Sequence, residues 1–129
     1  VNINELIVEG YLAYEVPEHA RQDLVKKYPP KFPEFIAHHI TKEFGVPQST
    51  PEETARIKLI GYAEEDGLEV LVVEVNGSRR RDDGAIYHIT WSLDRSKGKK
   101  PVMSNDLIRK GDWQLVEPYE FHAPLRFFQ

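Results

Sequence analysis

Two runs rich in aliphatic residues, 56–63 and 68–76, are separated by Glu64-Glu65-Asp66-Gly67. An Asp-Gly pair between two such runs is a hairpin signal, because both residues tolerate the left-handed backbone of a tight two-residue turn. A chain carrying this unit is committed to an antiparallel sheet, and the remaining segments must join or cover it. Further strand-like runs are read at 6–15, at 35–44 ending on Gly45, at 85–93 and at 113–116. Pro17 suits the first turn of a helix reaching Lys27, with Ala20, Leu24 and Tyr28 at helical spacing. Pro29-Pro30 stops that helix and Pro33 forbids early resumption. Ser104 is positioned to cap a short helix over 105–110, which Gly111 ends. Loops are read at 46–53, 76–84 and 95–100, and Pro118 opens a tail. Strands outnumber helices. The expected fold is α+β: an antiparallel sheet with few helices, as one domain over residues 1–129.

Composition narrows the function. Seventeen Lys and Arg stand against 21 Asp and Glu, a formal net charge of −4, which argues against a bulk nucleic-acid coat protein. Forty per cent hydrophobic and 29% charged residues are values of a folded domain, not a disordered one. Cysteine is absent, which removes disulfides, a thiol nucleophile and thiolate zinc sites together. The longest aliphatic runs, such as Val70-Leu71-Val72-Val73, fall far short of the ~20 residues that span a bilayer. Val1-Asn2-Ile3-Asn4-Glu5 lacks the basic start and apolar core of a signal peptide, so a cytoplasmic location is expected. No cofactor fingerprint, phosphate-cradling glycine loop or obligate protein partner is evident.

Two segments match each other: His39-Ile40-Thr41 and His88-Ile89-Thr90. Both lie in strand-like runs, where residues two apart share a face. Each segment therefore presents His and Thr together, with Ile on the other side. Around the second, Tyr87, Ile89, Trp91 and Leu93 form the apolar face. Around the first, Ala37, His39, Thr41 and Glu43 share one face, so His38 is expected to point away from His39. Imidazole titrates near neutrality and serves as base or acid. Threonine hydroxyls can hold the anionic oxygens of a phosphoryl transition state. Two His-x-Thr strands across one groove supply both halves of phosphodiester cleavage.

The repeated His-x-Thr resembles the signature of the 2H phosphoesterases. These include the LigT-like RNA cyclic phosphodiesterases, the cyclic phosphodiesterase domains of fungal and plant tRNA ligases, and phage enzymes that destroy cyclic oligonucleotide defence signals. The resemblance implies a bilobed α+β fold with an approximate internal two-fold, one motif from each lobe. The short spacing between the motifs here implies an abbreviated second lobe. The resemblance further implies metal-independent hydrolysis of a 2′,3′-cyclic phosphate or related RNA or nucleotide ester, with His39 and His88 as the acid–base pair and Thr41 and Thr90 holding the phosphate. A cyclic di- or oligonucleotide is the alternative substrate within the same chemistry. A nucleotide-binding module without turnover is the alternative outside it.

Other residues are weighed beside these. Arg95, Lys97, Lys99 and Lys100 follow Thr90 closely and are expected to draw an anionic substrate to the groove. Tyr11 and Tyr14 are both candidates for stacking on a base, with core or surface packing the alternative for each. Arg79-Arg80-Arg81, partly neutralised by Asp82 and Asp83, is equally well a solvated loop or a backbone-contacting one. A zinc site from His39 and His88 with Glu43 finds no compact ligand spacing. His19 and His122 are expected to be solvated.

Overall fold

Asp66 and Gly67 turn the chain between β4 (Thr54–Glu65) and β5 (Leu68–Val75), with Glu65 opposite Leu68 and Gly67 at φ +87°. The computed structural model describes residues 9–129. The signal-peptide reading of residues 1–5, and residues 6–8 of the first predicted strand, lie outside the described residues. The remainder of that strand is β1 (Glu9–Glu15), and helix α1 (Glu18–Lys27) follows with Pro17 as its cap. Next come β2 (Glu34–Phe35), β3 (His39–Pro47), β6 (His88–Leu93), α2 (Met103–Arg109) and β7 (Gln114–Phe128).

All pairings are antiparallel, in the order β2-β6-β3-β1-β7-β4-β5, and β5 also pairs with β6. That last pairing closes six strands into a barrel, with β2 appended to β6. The α+β class holds. In place of two lobes there is one closed barrel, and the two motifs stand on its neighbouring strands β3 and β6.

Alternation puts one side chain set inside. Ile40, Ile57, Leu59, Leu71, Val73, Ile89 and Trp91 fill the interior with Tyr14 and Leu125, and α1 adds Ala20 and Leu24 to the same cluster. The Trp91 indole donates to the Tyr28 carbonyl at 2.8 Å, which ties the C-terminal end of α1 to β6. On the outer side, Leu68, Val70 and Val72 of β5 are covered by Leu107 and Ile108 of α2. Strand β5 is thereby buried on both faces, which its nearly continuous apolar sequence anticipates.

Three expectations are corrected. The segment from Pro118 is no tail: it is part of the 15-residue β7, which lies between β1 and β4. Pro118 is tolerated because the β4–β7 register breaks there, where Leu59 faces Tyr119 and Gly61 faces Leu115. Ser104 lies inside α2 rather than capping it, and its side chain is fully buried. The predicted strand 35–44 is split into β2 and β3 by a kink at Ala37, whose φ is +42°. Among the described residues, no helix is long and apolar enough to cross a membrane.

Candidate functional site

The kink at Ala37 builds the site. Ala37 N–H donates to the Thr90 carbonyl, while Ile40 is the register partner of Ile89. Between those two links the chain entering β3 has two residues, His38 and His39, and β6 has none. The histidines form a bulge, a device that re-aims side chains next to functional sites. Strict alternation therefore fails at this point. His38 does not point away from His39: their Nδ1 atoms are 2.9 Å apart. One nitrogen must carry the proton and the other accept it.

Past the bulge the expected pattern resumes. On either side of the Ile40–Ile89 pair stand Thr41 and His88, and His39 and Thr90. All four line one cavity of about 380 Å³ on the outer face of the barrel. The cavity that the two imidazoles share is large enough to hold a phosphate together with the sugar attached to it. Tyr11, Ile36, Phe44, Arg81, Pro101, Val102 and Asn105 complete the wall.

Each titratable group has a definite setting. Burial pushes the His39 imidazole down to about 4, and the neighbouring His38 and His88 rings push the same way. Burial also lowers His88, and the Arg81 cation adds to that. The Ile86 carbonyl opposes it, accepting from His88 Nδ1 at 2.9 Å. A carbonyl only accepts, so the proton sits on Nδ1 and Nε2 keeps its lone pair. Thr90 Oγ1 shares a 2.8 Å hydrogen bond with Ser104 Oγ, joining β6 to α2.

Arg81 is the residue that sequence reading left undecided. Its neighbours Arg79 and Arg80 are exposed, whereas Arg81 is 8% exposed. Asp83 grips it from one side, with Nε and Nη2 each 3.0 Å from a carboxylate oxygen. Phe44 lies on the other side, its ring centre 5.3 Å from the guanidinium carbon. Only two of the N–H donors are occupied by Asp83, so the rest remain for a ligand. A charge fixed in the wall is positioned for an anion in advance. Asn105, Pro101 and Val102 were missed because nothing local marks them; α2 and the turn before it bring them to the groove.

Tyr11 lines the groove, 5.4 Å from the His39 ring and stacked on Phe128 at the same separation. Tyr14 is core, its hydroxyl donating to Glu53 at 2.7 Å. The basic loop is not at the groove. Arg95, Lys97 and Lys99 are ion-paired to Glu34, Asp66 and Glu65, so much of their charge is answered at the β2 edge and the β4–β5 turn. None of these three, nor Lys100, lines the cavity. His19, His122 and Glu43 are exposed. Among the described residues, no three His, Asp or Glu side chains gather around one point suited to a metal ion. No protein-family model, curated protein or solved structure matches this chain.

Proposed function

We propose that the groove hydrolyses a phosphodiester of the 2′,3′-cyclic phosphate kind by two-histidine acid–base catalysis, as in the 2H phosphoesterases. The observation that carries this reading is the convergence of both His-x-Thr motifs and a fixed arginine on one cavity of about 380 Å³. His39 has only another imidazole at Nδ1, so its free nitrogen Nε2 is the base. It takes a proton from water as the water oxygen bonds to phosphorus. His88, whose cation the Ile86 carbonyl supports, is the acid. It gives its Nε2 proton to the ribose oxygen as the P–O bond breaks. The products are a ribose hydroxyl and a phosphomonoester, and the proton count returns to its start once the histidines re-equilibrate with solvent. Thr41, Thr90 and Arg81 hold the non-bridging oxygens, whose charge grows in the transition state.

The test is turnover of a nucleoside 2′,3′-cyclic phosphate by the purified protein after exhaustive chelation. His39→Ala and His88→Ala should each cost roughly 10²–10⁴ in kcat. The double variant should lose less than the product of the single losses, because the two groups act in one step. Restoration specifically by zinc or manganese after chelation would replace this reading with a metal one. Binding without turnover would leave a nucleotide-binding groove.

A further inference from the structure

A second cavity of about 350 Å³ adjoins the groove, and Arg81 and Asn105 line both. Its wall carries three guanidinium groups, Arg80, Arg81 and Arg109, against one carboxylate, Asp83. That carboxylate is already engaged with Arg81. Arg109 pairs with Asp106 at 2.5 Å, and Arg80 donates to the Gly84 carbonyl at 2.8 Å. Each contact occupies a fraction of an arginine's five N–H donors. A chain of net charge −4 thus concentrates cations beside the histidine groove.

Asn105 stands in the partition between the two cavities, its Nδ2 donating to the Val102 carbonyl at 3.3 Å.

We infer that the two cavities are halves of one substrate site, built for a nucleotide ester that carries a second phosphate. This rests on the reading of the histidine groove given above. The scissile phosphate sits between His39 and His88, and the adjoining phosphate lies against Arg80 and Arg109. The sugar between the two phosphates lies against Asn105. A single nucleotide fills only the first half. The ligand chemistry is common to a linear RNA end and to a cyclic dinucleotide.

The test measures kcat/KM at low salt for a nucleoside 2′,3′-cyclic phosphate and for a dinucleotide ending in the same group. Calorimetry on the stable products, a mononucleotide 3′-phosphate and a dinucleotide 3′-phosphate, reads binding without turnover. A 3′,3′-cyclic dinucleotide distinguishes the second source. In the native protein the dinucleotide should exceed the mononucleotide by roughly tenfold or more in both measurements, the size of one good contact to a charged group. In Arg80→Gln/Arg109→Gln the ratio should fall to about one. Both arginines are solvent-exposed, and a retained melting temperature verifies the fold. A native ratio of one, or a ratio that the double variant retains, overturns the inference. Hydrolysis with no dinucleotide advantage removes the second subsite alone. An arginine-dependent binding advantage without hydrolysis removes the catalytic reading and keeps the two-phosphate site.

Discussion

At the scale of single residues, the two imidazoles set the expected pH behaviour. A base must be neutral, so His39 works above its own value of about 4. An acid must be protonated, so His88 works below its value, which burial holds under the usual 6.5. The kcat/KM profile is therefore expected to peak on the acidic side of the neutral pH that free imidazoles would favour. A bound phosphodiester raises both groups, so the kcat profile should lie at higher pH than the kcat/KM profile. His38 lowers His39 through its charge, so His38→Ala should move the acidic limb of kcat/KM upward. Rate profiles for the native protein and this variant check both statements. An unmoved limb would take His38 out of the electrostatics of the site.

At the scale of secondary-structure elements, the two threonines are not equivalent. Among the described residues the Thr41 hydroxyl has no hydrogen-bond partner, whereas that of Thr90 links β6 to the fully buried Ser104 of α2. Thr41→Val should lower kcat by about 10²–10³, the usual effect of a lost transition-state donor, with stability nearly unchanged. Thr90→Val should lower the rate and also strand the Ser104 hydroxyl, at about 1–3 kcal/mol in denaturant unfolding. Equal stability in the two variants would show that the Thr90–Ser104 link holds nothing. What could be read from sequence divides along the same line. The Asp66-Gly67 turn and the His88–Leu93 alternation are local, and both were legible. Strand β7 was hidden because Pro118 reads as a terminator until the register break in β4 is known. The basic loop was misplaced because its partners Glu65 and Asp66 lie some thirty positions earlier in the chain.

For the whole molecule, barrel closure depends on the last strand. Because β7 pairs with β1 on one side and β4 on the other, removing it exposes two unpaired edges and opens the interior around Phe121, Ala123 and Leu125. Ending the chain at residue 117 should therefore abolish cooperative unfolding, as followed by circular dichroism in urea. A tail would have left that transition in place. Sequence predicted the antiparallel α+β class, but closure rests on the β5–β6 and β1–β7 pairings between distant segments, which no single motif announces.

The bulge at residues 38 and 39 has a consequence for how separable the reaction is from its scaffold. Deleting both residues would set Ala37 and Ile40 beside each other, opposite Thr90 and Ile89, which are already consecutive. On the β1 side the same two residues are in register, with His39 opposite Glu15 and the His38 carbonyl accepting from Val16 N–H at 2.9 Å, so what is an insertion against β6 is part of the ladder against β1. The deletion variant is therefore expected to lose turnover and to melt below the native protein. An unchanged melting temperature would mean that the chemistry is separable from the architecture.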